Sequence, residues 1–216
     1  MRILFKYLIL VLLFPALASA WELQLNEDNI KVYTKDIKDS NFKAFRGEVE
    51  VDSSLINVVA HHVDLEAMTE WLHDCSESKL VRKVDAHDFY VYQRTSAPWP
   101  VSDRDYVIHM NISQNTSDYS VLMTFEAEIQ ASENNEDCVP VTQLKGYWRF
   151  TPKSLNRVLI EYETSADPAG DLPAWLANSF VVDQPYGTLK KLKQRVENNS
   201  YTLPEEMAFI KAKASD

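Results

Sequence analysis

The feature that most constrains the fold of this chain is a long series of short segments in which apolar and polar residues alternate. Alternation with a period of two is typical of strands that bury one face. The segments follow one another with short polar connections, which favours a run of antiparallel strands. The predicted strands are residues 30–35, 41–51, 80–84, 89–95, 104–112, 119–129, 141–150 and 157–164.

Two short helices interrupt this series, and one long helix ends it. The run Asp52-Ser53-Ser54 can cap a helix over residues 55–63, and Asp64 can cap a second helix through residues 68–71. From residue 172 to about residue 199, apolar residues recur at helical spacing over much of the helix surface. Pro185 should break or kink this last helix at or just before its own turn.

The order of the elements predicts an α+β fold. A helix that is apolar over much of its surface must be covered by other elements. A strongly twisted antiparallel sheet can wrap around the last helix and leave a cavity between the two. No internal repeat or low-complexity linker interrupts residues 21–216, so one domain is expected there.

Residues 1–20 have the pattern of a signal peptide. A short basic start precedes an almost continuously apolar stretch, and residues 18–20 supply the small side chains that a signal peptidase reads. The stretch is shorter than the about 20 apolar residues of a membrane span; an uncleaved anchor is the alternative. We expect cleavage near Trp21 and export, with the periplasm as the expected compartment.

The charge of the chain limits its partners. It has 22 basic and 32 acidic residues and a formal net charge of −10, and loss of the leader makes it more negative. Phosphates repel a protein that is this acidic and has no basic stripe, so nucleic acid is not an expected partner. The same repulsion argues against lasting adhesion to anionic lipid. The composition fits a soluble, monomeric carrier that touches membranes briefly.

The chain has two cysteines, Cys75 and Cys138. Two cysteines often pair in an exported protein, so a disulfide between them is expected. The alternative is two free thiols.

The motifs of the common enzyme classes are missing from the sequence. The four glycines are too widely spaced for a phosphate-binding or dinucleotide-binding loop, and no nucleophile elbow or zinc-binding helix occurs. His61 and His62 are adjacent and so point in different directions on a helix. His73-Asp74-Cys75 reads as a solvated helix end. No catalytic residue, metal site or cofactor is therefore expected.

Four segments, in this order along the chain, resemble the START family of lipid-binding domains. The resemblance covers most of residues 21–199, and it implies a helix-grip fold that closes over one lipid or sterol. The two most specific stretches are the second and the fourth. The segments are Asp64-x6-Trp71, Ala97-Pro-Trp-Pro-Val-Ser-Asp-Arg-Asp-Tyr-Val107, Gly146-Tyr-Trp-Arg-Phe-Thr-Pro152 and Asp167-Pro-Ala-Gly-Asp-Leu-Pro-Ala-Trp-Leu176.

The resemblance implies a gate at one end of the cavity. Family members use the loop of residues 97–103, together with the start of the last helix, to admit the ligand. Trp99 lies between two prolines at the tip of this loop, and Leu172 begins the helix. Tryptophan suits a membrane interface, so Trp99 and Leu172 are expected to touch the membrane; alternatively, Trp99 caps the core.

The resemblance also implies residues that contact the ligand. In the family, the arginine that corresponds to Arg104 faces the cavity, and Tyr106 follows it on the same face. Gln93 and Tyr162 match polar cavity residues of ceramide-binding relatives. Trp175 and Phe180 lie on the helix that forms one wall of the cavity. Trp148 is an apolar strand residue that extends this set.

Two of these residues, Arg104 and Trp148, have another interpretation as structural groups. Arg104 can equally pair with a carboxylate such as Glu126 or Glu161, because a buried arginine needs a partner. Most apolar strand residues such as Trp148 are simply core.

Three functions remain open at this point. The first is binding, and transfer, of a lipid or sterol-like molecule by a protein that is not an enzyme. The second is an enzyme of the wider helix-grip superfamily, a cyclase or hydrolase, since fold alone does not decide activity. Glu126 and Glu161 are its candidate catalytic acids. The third is a sensory or structural domain with a small or empty pocket.

Overall fold

A computed structural model describes residues 20–129 and 135–212. The predicted signal peptide lies outside the described residues except for Ala20. Ten strands are present in the described ranges. They are β1 Glu22–Glu27, β2 Ile30–Asp36, β3 Lys43–Val51, β4 Cys75–Lys83, β5 Asp88–Thr95, β6 Asp103–Gln114, β7 Val121–Ala127, β8 Cys138–Pro140, β9 Gln143–Ser154 and β10 Arg157–Asp167.

The strands form one sheet in the order β1-β2-β3-β10-β9-β7-β6-β5-β4, and β8 pairs with β6 outside this path. Every pairing along the path is antiparallel, whereas β8 runs parallel to β6. Buried and less buried residues alternate along β2, β7 and β10, so one face of the sheet carries the core. The predicted α+β, helix-grip fold is confirmed.

Within residues 20–129 and 135–212, four α-helices and a 3-10 helix, Glu205–Met207, accompany the sheet. The α-helices are α1 Leu55–Val63, α2 Met68–Trp71, α3 Ala174–Phe180 and α4 Asp183–Asn198. The predicted cap of α1 is confirmed, since Ser54 Oγ accepts a hydrogen bond from the Asn57 backbone N–H at 3.2 Å. None of these helices, within the described ranges, is long and apolar enough to cross a membrane.

The last helix of the prediction is two helices in the structure. α3 ends at Phe180 and α4 begins at Asp183, two residues before Pro185. The break agrees with the expected effect of Pro185, which lies in the first turn of α4, where the missing N–H costs least. α3 starts at Ala174, because Pro173 and Gly170 keep the preceding residues out of the helix.

The helix α4 packs on the concave face of the sheet through Leu189, Leu192 and Val196, which are all buried. Gly47 in β3 allows the close approach, because a Cβ at this position would lie 2.6 Å from Leu189 Cδ1. The requirement for glycine here is therefore one of space between sheet and helix.

Three elements were not predicted from the sequence. β1 is almost fully exposed, and its apolar residues, Leu23 and Leu25, are too few to mark a strand. β8 has three residues, too few for a periodic signal. The segment after α4 packs back on the sheet, where Met207 and Ile210 are buried and Phe209 stacks on His87 with ring centroids 3.8 Å apart.

The predicted disulfide is wrong: Cys75 and Cys138 are both buried free thiols. In the sheet, Cys75 of β4 lies opposite Thr95 of β5, and Thr95 lies opposite Arg104 of β6. Cys138 of β8 lies opposite Asp103, the residue before Arg104 in β6. Three strand spacings of about 4.8 Å therefore separate the two cysteines, roughly 14 Å in all. A disulfide needs a Cα separation of about 4.4–6.8 Å.

Candidate functional site

A small internal cavity lies between the sheet and the helix α2. Its volume is about 40 Å³, enough for only a few small-molecule atoms. Its lining comes from α2, the residue that follows α2, and five neighbouring strands. The lining residues are Met68, Trp71, Leu72, Gln93, Tyr106, Ile108, Met110, Phe125, Leu144, Trp148, Tyr162 and Thr164.

Four of the residues that the resemblance assigned to ligand contact meet at this cavity: Gln93, Tyr106, Trp148 and Tyr162. Trp148 and Tyr162 are cross-strand partners of β9 and β10, and their rings stack with centroids 3.8 Å apart. This stack makes one flat aromatic wall. Gln93 and Tyr106 are cross-strand partners of β5 and β6, on the other side of the cavity.

The polar groups of this lining are uncharged. The Tyr106 hydroxyl lies 3.2 Å from Thr95 Oγ1, and Gln184 Nε2 donates to the Tyr162 hydroxyl at 3.3 Å. Burial raises the pKa of both Tyr106 and Tyr162. Both hydroxyls therefore stay protonated. The cavity is therefore apolar with a few neutral hydrogen-bonding groups, a typical composition for a small-molecule site.

An aromatic cluster supports the cavity from behind. The ring of His62 on α1 lies 4.7, 4.5 and 4.6 Å from the rings of Trp71, Trp148 and Phe150, respectively. Desolvation lowers the pKa of His62 to about 3, so the imidazole is neutral at physiological pH. A neutral imidazole in an aromatic cluster serves packing, and His62 is not a candidate general base.

Arg104 lies at the start of β6, outside the cavity lining. Its guanidinium donates hydrogen bonds to three backbone carbonyl oxygens, those of Ser102 at 2.5 Å, Pro168 at 3.1 Å and Ala169 at 3.4 Å. Neither Glu126 nor Glu161, the carboxylates expected from the sequence, is its partner. Arg104 thus joins the end of the 97–102 loop to the turn that precedes α3.

The loop of residues 97–102 is held at its base and projects at its tip. The Asp103 carboxylate accepts from the Ala97 backbone N–H at 3.0 Å and from Arg94 at 2.7 Å. Trp99 at the tip is 92% exposed. The alternative that Trp99 caps the core is therefore wrong.

The helix α3 follows the turn that Arg104 holds, and none of its residues is buried. Trp175 is 73% exposed and Phe180 is 44% exposed, and neither lines the cavity. Leu172, just before the helix, is half-buried. Ala169 and Gly170 have the positive φ angles of 55° and 66°, and this left-handed pair makes the sharp turn between β10 and α3.

Eight of the twelve lining residues were not among the ligand contacts expected from the sequence, and Met68, Trp71 and Thr164 are examples. Trp71 belongs to one of the segments that carry the family resemblance, but the resemblance did not assign it to the cavity. Met68 and Thr164 belong to ordinary apolar patterns of α2 and β10, which do not separate a cavity wall from the core.

The structure offers little for catalysis. Within residues 20–129 and 135–212, no three His, Cys, Asp or Glu side chains lie close enough to hold a metal ion. Glu126 lines a groove on the outer face of the sheet with His109 and Lys145. Glu161 alternates with the buried Ile160 and Tyr162 and faces Arg149 at 3.9 Å. Both candidate acids therefore lie on the face opposite the cavity.

The START domain family matches residues 10–202 of this chain. An uncharacterized protein of Pseudomonas aeruginosa is 35% identical over 182 residues, which cover 84% of this chain and 89% of that protein.

Solved structures agree with this match. The STAR-related lipid transfer protein of Xanthomonas axonopodis (fragment 25–204) superposes with a TM-score of 0.75 and 34% identity, covering 81% of this chain and 97% of that one. Human StAR-related lipid transfer protein 5 gives a TM-score of 0.70 at 16% identity over 82% of this chain and 86% of its own. The second likeness shows the fold alone.

The same fold also occurs in an enzyme. The Zhui aromatase/cyclase from Streptomyces sp. R1128 superposes with a TM-score of 0.50 and 12% identity, covering 71% of this chain and 93% of that one.

Proposed function

This chain belongs to the START domain family, and on that premise we propose that it binds one lipid or sterol-like molecule in the internal cavity and transfers it between membranes. The observation that carries the proposal is the cavity itself. It lies between the sheet and α2, and it is lined by apolar and neutral polar side chains.

The proposal requires the cavity to expand. A lipid-sized ligand needs a pocket of about 300–1,000 Å³, against about 40 Å³ here. The walls contain adaptable side chains, since Met68 and Met110 are unbranched and can take several shapes. α3 can move with little loss of packing, because its residues are exposed or half-buried.

The gate, on this proposal, is formed by the 97–102 loop and α3. Ligand entry separates Trp99 from Leu172 at a membrane surface. Trp175 and Phe180 support this, because their side chains are exposed, as that of Trp99 is. Exposed tryptophan side chains partition well into the membrane interface. Trp175 and Phe180 thus contact lipid head groups first, and any contact with the bound ligand requires α3 to turn inward.

We further propose that the protein acts as an exported, periplasmic monomer. The pattern of residues 1–20 supports export, and the net charge of −10 supports brief membrane contact without nucleic-acid binding. A mature N-terminus at or next to Trp21 is expected in periplasmic material, and protein that still carries Met1 would contradict export with cleavage.

The protein binds without turnover on this proposal. The two candidate acids, Glu126 and Glu161, lie on the opposite face of the sheet from the cavity. Hydrolysis of a lipid ester that disappears on Glu126→Gln or Glu161→Gln would favour the enzyme alternative.

Uptake from vesicles tests the proposed function. Purified protein is mixed with phosphatidylcholine vesicles that contain a lipid extract of the host, separated from them by flotation, and extracted for lipid mass spectrometry. About one lipid per protein is expected. Leu144→Trp, which adds bulk to the cavity wall, should abolish uptake at a modest cost in stability. Absence of lipid in the wild-type protein would overturn the proposal.

A further inference from the structure

The cavity wall contains a buried hydrogen-bond donor without an acceptor. Trp71 lines the cavity and is 1% exposed, and its Nε1–H has no hydrogen-bond partner among the described residues. A buried donor without a partner destabilises the fold, so native proteins seldom keep one without a reason. The Trp71 indole N–H is therefore a group that a ligand atom could satisfy.

A second donor in the wall is poorly satisfied. Gln93, which is buried, donates from Nε2 to the thioether Sδ of Met68 at 3.1 Å. A thioether sulfur is a weak acceptor, so this amide would gain from an oxygen atom in its place. Trp71 and Gln93 both present N–H donors to the cavity wall, and neither donor has an oxygen acceptor.

The lack of charged side chains in the lining limits the class of ligand that the cavity can hold. None of the twelve lining residues carries a charge. Arg104, the buried cation nearest along β6, lies outside the lining and is held by three carbonyl oxygens of the gate. An anionic group in the cavity would therefore lose its hydration without meeting a cation, which is very unfavourable.

We infer that the ligand is an uncharged lipid whose buried part carries an acceptor oxygen, such as an ester, ketone or hydroxyl oxygen, and that Trp71 and Gln93 determine this specificity. The inference rests on the proposed function, since it names the class of molecule that the same cavity takes. Trp71 binds the acceptor oxygen through its indole N–H, and Gln93 exchanges Met68 for the same oxygen or a second one. Charged groups of the ligand stay outside the gate.

Three probes of equal chain length test the inference. Phosphatidylcholine vesicles are loaded with equal amounts of hexadecane, methyl hexadecanoate and hexadecanoate, at a pH where the carboxylate is ionised. The amount of each probe on the protein is divided by the amount left in the vesicles. The ester should be retained best, above both the alkane, which lacks an acceptor, and the carboxylate, which is charged.

Two variants separate the donor from the shape of the cavity. Trp71→Phe keeps an aromatic wall and removes the N–H, so the ester-to-alkane ratio should fall about threefold to tenfold, the range for one neutral hydrogen bond. Phe150→Leu trims the aromatic cluster outside the cavity lining, removes no donor, and should leave the ratio unchanged. Gln93→Met is the second donor variant, and it tests the same ratio if Trp71→Phe does not fold.

The outcomes distinguish this inference from the proposed function. Retention of all three probes without preference, preference for the carboxylate, or an ester-to-alkane ratio that neither donor variant lowers would overturn the inference while lipid binding stands. Failure of the wild-type protein to retain any probe or host lipid would overturn the proposed function, and the inference with it.

Discussion

Replacement of Trp99, the exposed tryptophan of the proposed gate, should lower membrane binding much more than it lowers stability. Trp99 is 92% exposed at the tip of the 97–102 loop, and its loop is anchored by Asp103 rather than by the indole ring. Trp99→Ala should therefore change the free energy of unfolding by less than about 0.5 kcal/mol, as for surface substitutions elsewhere. A buried aromatic residue cut to alanine typically costs about 3–5 kcal/mol.

Membrane binding should respond much more strongly. Burial of a large apolar side chain contributes about 1.5–3 kcal/mol, so the loss of Trp99 should lower the fraction of protein on vesicles by roughly tenfold to a hundredfold. The lipid transfer rate should fall with it, provided that membrane contact limits transfer. Neutral phosphatidylcholine vesicles are the right target, because the protein is strongly acidic.

Vesicle flotation and a donor-to-acceptor transfer assay measure these effects, and urea unfolding measures stability. Leu155→Ala is the matched control. Leu155 is also exposed, but it lies in the turn between β9 and β10 at the end of the sheet away from the gate. A loss of several kcal/mol in Trp99→Ala, or equal vesicle binding of wild type and variant, would refute the assignment of Trp99 to the membrane.

Three further predictions follow from individual groups. Both cysteines should react with an alkylating reagent in denatured, unreduced protein, and a protein without free thiols would contradict the strand register. Burial lowers the pKa of folded His62 to about 3, whereas a histidine in the unfolded chain takes up a proton near pH 6.5. The free energy of unfolding should therefore fall as the pH drops through this window, by roughly 2 kcal/mol between pH 6.5 and pH 5. His62→Phe should remove that part of the pH dependence in urea unfolding, and an unchanged dependence would show that His62 does not cause it. Arg104→Met should release both sides of the gate and speed amide hydrogen exchange in residues 168–176, with β2 and β3 as the internal control; unchanged exchange would mean that Arg104 does not hold the gate.

The sequence predicted the sheet well where the strands are half-buried. β2, β7 and β10 alternate between the core and the outer face, and the pattern of apolar residues records that alternation directly. β1 was not predicted because its alternation rests on only two apolar residues, Leu23 and Leu25. The packing of the segment after α4 was not predicted, because its buried residues Met207 and Ile210 do not belong to a periodic pattern.

The cavity could be predicted only in part. Gln93, Tyr106, Trp148 and Tyr162 were found through a family resemblance, and they line the cavity. Trp175 and Phe180 were assigned to the wall because the last helix forms one wall of the cavity in the family, whereas both side chains are exposed on α3 and neither lines the cavity. Their contact with a ligand stays a prediction.

Long-range partners account for the remaining differences. The carbonyl oxygens that hold Arg104 are contributed by backbone from residues 102, 168 and 169, and main-chain acceptors leave no mark in a sequence. The disulfide was inferred from the number of cysteines, while the distance between them depends on the order of β4, β5, β6 and β8 in the sheet.

The central claim is that the cavity holds a lipid, and native mass spectrometry of protein purified from its host tests it most directly. The account predicts a one-to-one complex whose excess mass leaves on organic extraction and belongs to an uncharged, oxygen-bearing lipid. Bare protein before and after exposure to host lipid vesicles would contradict the claim.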